Sequence, residues 1–296
     1  MSSNTPLIMK RASEFTKTNQ CMIPLSDSLS LHVYSDTKPH NAFISDLQKG
    51  LILVYKEVEM VGEGTGLGVP VLVYSDETYF SGLSHVYSWK KDDCKIICKE
   101  FFMDEVQRTR ISKVKLENQK LAHTFARILR YVTEAYQKHR HLRFLTAEKL
   151  YWSMGIKTSF VKTTPSGKVI ATYCLSEGHI DVRMDFSLLK RRNLQKIFVL
   201  NELGSTFFRM YLDSDGTKLV DKQIGAWETV EAEWASITDI RGGIGFRLWR
   251  AKNSVLRRGR EFLKGHRDWI GLDYEINPNN NIFEYEIEIL GAKPPF

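Results

Sequence analysis

Lys168-Val-Ile-Ala-Thr-Tyr-Cys-Leu-Ser-Glu-Gly-His-Ile-Asp-Val-Arg-Met-Asp-Phe186 decides the fold class. Its second half alternates Ile180, Val182, Met184 and Phe186 with Asp181, Arg183 and Asp185. Successive side chains of a strand point to opposite faces, so this segment has one buried and one wet face. Glu177-Gly178 supplies the turn, and the stretch reads as an antiparallel hairpin.

Working outward, the same period of two returns near the C-terminus. There Phe283, Tyr285, Ile287 and Ile289 alternate with Glu284, Glu286 and Glu288. Strand patterns also fall at residues 196–202, 206–212, 228–236, 244–250, 255–261 and 269–276. Upstream, Leu29, Leu31 and Val33 alternate with Ser30, His32 and Tyr34, and two apolar runs follow, Leu51-Ile-Leu-Val-Tyr55 and Val69-Pro-Val-Leu-Val-Tyr74. Further strands are expected at 78–81, 83–89, 95–103 and 106–111. Many strands joined by short turns exclude a parallel α/β fold and favour an antiparallel β-sandwich.

One segment breaks the pattern. Between residues 118 and 139, Leu121, Phe125, Ile128, Leu129, Val132 and Tyr136 recur at helical spacing, with Lys120, His123, Arg127, Arg130, Glu134 and Lys138 opposite them. That is the signature of an amphipathic helix. A shorter helix is expected over 147–154, capped by Thr146 and ended by Gly155. The expected organisation is therefore a flexible tail (1–20), an antiparallel β region (21–112), a central helical insertion (113–155) and a second antiparallel β region (156–296).

The 296 residues, 43% hydrophobic and 26% charged, suit a folded globular chain and exclude wholesale disorder. The net charge of +7 admits acidic partners, although the basic residues are scattered. Their densest points are Lys190-Arg191-Arg192, Arg257-Arg258-Gly259-Arg260 and the patch at 138–143. Four cysteines make no disulfide framework: Cys94 and Cys98 share a strand face about 13 Å apart, too far to bridge each other. All four are expected as free thiols in a reducing, cytoplasmic setting. No stretch approaches the roughly 18 apolar residues that span a bilayer, so no membrane partner is expected.

The glycine run Gly62-Glu-Gly-Thr-Gly-Leu-Gly68 could cradle phosphate with its amides. A dinucleotide fingerprint would need a helix next, and a strand follows instead. Either it is a bulged, close-packed strand connection, or a loop presenting Glu63 to a ligand. Asp213-Ser-Asp-Gly216 lacks the later ligands of a calcium loop and reads as a β-turn. Nucleophile-elbow and metalloprotease motifs are absent, and nothing suggests a metal or organic cofactor. His85, close in sequence to the glycine run and Tyr79, is a catalytic candidate as an acid or base with Glu63. The same residue also suits a structural surface role.

The richest stretches are Gly225-Ala-Trp227-Glu228-Thr-Val-Glu231-Ala-Glu233-Trp234, Arg257-Arg-Gly-Arg-Glu261 and Arg267-Asp268-Trp269-Ile-Gly271-Leu-Asp273-Tyr274. Tryptophan joins a broad apolar face to one donor, and flanking carboxylates and arginines can bind hydroxyl pairs. Tyr79, Trp227, Glu228, Arg260, Asp268 and Trp269 are therefore the expected binding residues.

On these runs and on the strand succession after residue 156, the C-terminal half resembles the supersandwiches of galactose-mutarotase-like and polysaccharide-lyase-like proteins. The chain as a whole also resembles conserved prokaryotic proteins. The supersandwich resemblance implies a large two-sheet fold with a sheet face that binds carbohydrate. It extends over about half the chain and carries no catalytic motif; the glutamate and histidines of those families are not matched here. A carbohydrate-binding or carbohydrate-modifying protein is the first expectation. Two alternatives stand beside it: a basic module for nucleic acid or another polyanion, using the helix and the 138–143 patch, and an interaction protein without a small-molecule site.

Overall fold

The computed structural model describes residues 16–35, 50–60, 66–75, 77–91, 94–111, 155–176, 178–263 and 267–291, with positions 121, 124, 125 and 128 between them. Three antiparallel sheets account for most of these. A ten-stranded sheet runs, edge to edge, β1 (Thr16–Thr18), β8 (Leu83–Lys91), β9 (Cys94–Phe102), β12 (Lys168–Ser176), β13 (His179–Asp185), β22 (Ile282–Leu290), β19 (Gly245–Trp249), β18 (Trp234–Asp239), β15 (Phe208–Asp213) and β16 (Lys218–Val220). An eight-stranded sheet runs β11 (Ile156–Lys162), β10 (Glu105–Ile111), β7 (Thr78–Phe80), β6 (Leu67–Tyr74), β14 (Leu194–Gly204), β21 (Arg267–Ile276), β20 (Ser254–Leu263) and β17 (Glu228–Thr229). A small sheet holds β2 (Gln20–Pro24), β3 (Leu29–Tyr34), β4 (Ile52–Tyr55) and β5 (Val58–Glu59). Both large sheets mix strands from before and after the central segment, so the two β regions interleave.

Alternation builds the core. Val169, Ala171 and Tyr173 of β12, Ile180, Val182 and Met184 of β13, and Phe283, Tyr285 and Ile287 of β22 all point inward and are buried. From the eight-stranded sheet Ile270, Leu272, Tyr274 and Ile276 of β21 meet them. The Tyr274 ring packs on Phe283 and Tyr285, with centroids 5.0 and 4.9 Å apart, which fixes the two large sheets face to face.

Polar bonds cross the same interface. Gly68 and Asn201 lie where β6 and β14 slip register. Asn201 Oδ1 accepts the Gly68 N–H at 3.0 Å and the Tyr285 hydroxyl at 3.1 Å, while Tyr173 donates to the Gly68 carbonyl at 3.3 Å. Gly68 sits at φ +77°, and a Cβ there would lie 3.0 Å from the Tyr173 oxygen. The last part of the glycine run is thus a bulged, close-packed connection. The other reading, Glu63 as a ligand group, lies outside the described residues.

Several expectations need correction. Thr16–Thr18 and Gln20, expected in a flexible tail, lie in strands, Thr16–Thr18 pairing with β8 and Gln20–Pro24 with β3, while residues 1–15 lie outside the described residues. The single strand expected over 228–236 is two strands in different sheets, β17 and β18. Its alternation looks continuous, yet the chain crosses from one layer to the other between Thr229 and Trp234. The four thiols are not all free. Cys174 is disulfide-bonded, while Cys21 and Cys98 are free. Spacing along one strand does not reveal pairing across strands.

The central helical insertion is not supported by the described residues, among which no helix reaches seven residues. Leu121, Thr124, Phe125 and Ile128 have helical backbone. Leu121 and Ile128, assigned by periodicity to a buried face, are exposed. The rest of the expected helices and the 138–143 patch lie outside the described residues. Among the described residues no helix is long and apolar enough to cross a membrane.

Candidate functional site

The sequence-predicted residues divide between two surfaces. Trp227 and Trp269 fall on one face, the outer side of the eight-stranded sheet. Gly259 of β20 stands directly opposite Gly271 of β21. A Cβ at Gly259 would lie 2.5 Å from the Trp227 indole, so that ring rests flat on the strand, and Glu202 crosses Gly271 in the same way. Trp269 is only 6% exposed and offers no open platform. Glu202 and Asp273, neither expected as a site residue, are buried beside it. The Asp268 side chain lies outside the described residues.

Glu228 and Arg260 serve another purpose. Arg258 lies over the Tyr211 ring at 5.0 Å and donates to Glu228 at 3.1 Å. Arg260 donates to Asp221 at 3.2 Å, and Arg209 clamps the same carboxylate through two bonds of 2.6 Å. These hydrogen bonds, the Arg209 pair foremost, hold the Asp221 carboxyl below the usual carboxylate range. The pairs tie the Asp221–Gln223 turn and β17 to β20. Tyr79 packs edge-on against Tyr74 at 5.1 Å, part of the core margin. His85 lies on the ten-stranded sheet, its ring edge-on to Phe102 at 5.1 Å. Trp227 and Trp269 belong with the eight-stranded sheet, so His85 does not join them.

Another open array of functional groups includes Trp234, which ended the first rich stretch but was not among the expected binding residues. This array lies on the outer face of the ten-stranded sheet, where β13, β22, β19 and β18 are successive neighbours. Trp234 stands directly opposite Trp249. Arg247, two residues from Trp249 on the same face, lays its guanidinium over the Trp234 ring at 4.3 Å and near the Trp249 ring at 5.9 Å. Glu288 accepts from Arg247 Nη1 at 2.7 Å. Next to this row, His179 Nδ1 meets Glu286 Oε1, and the His179 and Trp249 rings lie 6.5 Å apart at 33°. Asp181 is directly opposite Glu286, and Arg183 pairs with Glu284. Burial, and then the Glu286 charge, push the Asp181 carboxyl above its ordinary value, with His179 opposing.

Both aromatic rings are half-buried, with hydrogen-bonding groups of both polarities around them. Such a surface can pack the C–H face of a flat, hydroxylated ligand while its rim binds hydroxyls. The sequence marked Asp181, Glu286 and Glu288 only as wet-face residues and left Trp249 in an ordinary strand. The missing signal is strand order: β13 and β22 are about a hundred residues apart in sequence yet adjacent in space.

A shallow open depression of about 570 Å³ lies at the far end of β14, β20 and β21, lined by Lys196, Asn253, Val255, Glu275, Asn277 and Asn280 among others. Its charges neutralise one another, Glu275 meeting Lys196 at 2.6 Å and Arg257 at 3.4 Å. Asp213, expected in a β-turn, caps one: its Oδ1 accepts the N–H groups of Asp215 and Thr217 at 3.1 and 2.9 Å. Among the described residues no group of three or more His, Cys, Asp or Glu side chains is placed to hold a metal ion. Neither a protein-family model nor a curated protein matches the chain.

Proposed function

We propose that this chain binds carbohydrate on the outer face of its ten-stranded sheet. The observation that carries the reading is the Trp234–Trp249 cross-strand pair, held in place by Arg247 and flanked by Glu288, Glu286, His179 and Asp181. Aromatic rings fixed on a rigid sheet lose little freedom on binding, and polar groups at their rim supply orientation. The two large antiparallel sheets support the supersandwich-like architecture that the sequence resemblance implies. The disulfide at Cys174 fits an oxidising compartment better than the cytoplasm.

A glycan array, followed by titration calorimetry with the best oligosaccharide, tests the reading. Trp249→Ala and Trp234→Ala are each expected to weaken binding about tenfold, in line with the loss of one ring contact. Trp227→Ala, on the other sheet, leaves the affinity unchanged. Unchanged affinity in both outer-face variants would refute the assignment.

A further inference from the structure

We propose that the carbohydrate favoured by this face carries a free, protonated amine, an inference that rests on the carbohydrate reading above. Its starting point is a conflict built into the sheet. Asp181 and Glu286 are directly opposed on β13 and β22, on the same face, and like charges so placed destabilise a sheet. The neighbouring carboxylates on β22 have basic partners: Glu284 pairs with Arg183, and Glu288 with Arg247 at 2.7 Å. Among the described residues neither Asp181 nor Glu286 meets a lysine or arginine, and Glu286 meets only the His179 ring. A single cation seated between the two carboxylates removes the conflict.

A second, independent observation says what kind of cation this face accepts. One row away, the protein holds a cation of its own by the same means: Arg247 lies over Trp234 and Trp249 and is closed by the Glu288 carboxylate. Cation, indole and carboxylate form one recognition unit there. The Asp181–Glu286 pair offers the carboxylates of a second unit. Its aromatic wall is Trp249, one residue beyond the Leu248–Ile287 pair and therefore beside Glu286. A bare metal ion would use the carboxylates and ignore the indole. An aminated pyranose uses both, packing its C–H face on the ring and placing its ammonium between the carboxylates. Acetylation of the amine removes the charge and leaves the packing.

Titration calorimetry with four probes tests this: a glucosamine oligosaccharide, its fully N-acetylated counterpart, a glucose oligosaccharide of equal length, and a linear diamine. The measurement is made at a pH where the sugar amine is protonated. The free-amine oligosaccharide is expected to bind about tenfold tighter than the acetylated and glucose forms, and the diamine far more weakly. In Asp181→Asn, and separately in Glu286→Gln, the affinity ratio of free-amine to acetylated probe falls to about one. Equal affinities in the wild-type protein overturn the amine preference while leaving the carbohydrate reading intact. A diamine that binds as tightly as the amino sugar overturns the sugar assignment. Failure of every oligosaccharide to bind overturns both readings.

Discussion

The Arg247 guanidinium lies 4.3 Å from the centre of the Trp234 ring, and its Nη1 donates to Glu288 at 2.7 Å. That stack fixes the slope of the Trp234 ring and so the shape of the proposed platform. Lysine carries the charge but lacks the flat plate that covers the indole. Arg247→Lys is expected to cost about 1 kcal/mol in urea unfolding. It should also shift tryptophan fluorescence to the red as water reaches the ring.

Inside the sandwich, Asn201 satisfies the Gly68 N–H and the Tyr285 hydroxyl together, both of them buried. Asn201→Ala strands two donors between the sheets and is expected to lower unfolding free energy by about 3 kcal/mol. Gly68→Ala, which forces an alanine into φ +77° against Tyr173, should cost at least about 1 kcal/mol. Denaturant titration measures both.

Asp181 supplies a test by pH. Its carboxyl is raised by burial and then by Glu286. Between the ordinary carboxylate pKa and the raised one, the folded protein holds more protons than the unfolded chain. Stability therefore falls as pH rises through that interval. Asp181→Asn removes the cost, and at neutral pH it should gain about 0.5 kcal/mol, a small figure because the side chain is largely exposed. Below the unfolded carboxylate pKa the gain vanishes. Thermal unfolding at neutral and acidic pH reads the difference.

The β4–β5 turn carries Lys56 and Glu57 at φ +47° and +65°, between the paired residues Tyr55 and Val58. Two-residue turns of this hand favour Asn-Gly. Lys56→Asn combined with Glu57→Gly should therefore stabilise the protein by about 1 kcal/mol, seen as a higher melting temperature.

Much of the fold was legible because period two writes itself directly into burial. The hairpin around residues 177–178 has the expected register, with Ser176 opposite His179, and the inward residues of β22 are those the alternation names. Alternation assigns faces but not neighbours. Asp181, Trp234, Arg247, Trp249 and Glu286 each lie on a recognisable strand. Their meeting depends on the order β13, β22, β19, β18, which no local pattern encodes. Trp227 and Trp234 illustrate the converse: seven residues apart in sequence, one packs on the eight-stranded sheet and the other lies in the ten-stranded sheet, because the chain changes layer between them.

The indole N–H signals of the tryptophans, followed by NMR during addition of the best-binding oligosaccharide, test the account most directly. It predicts that the Trp234 and Trp249 resonances move together with ligand concentration while those of Trp227 and Trp269 stay fixed. Movement confined to Trp227 and Trp269, or no movement at all, would contradict it.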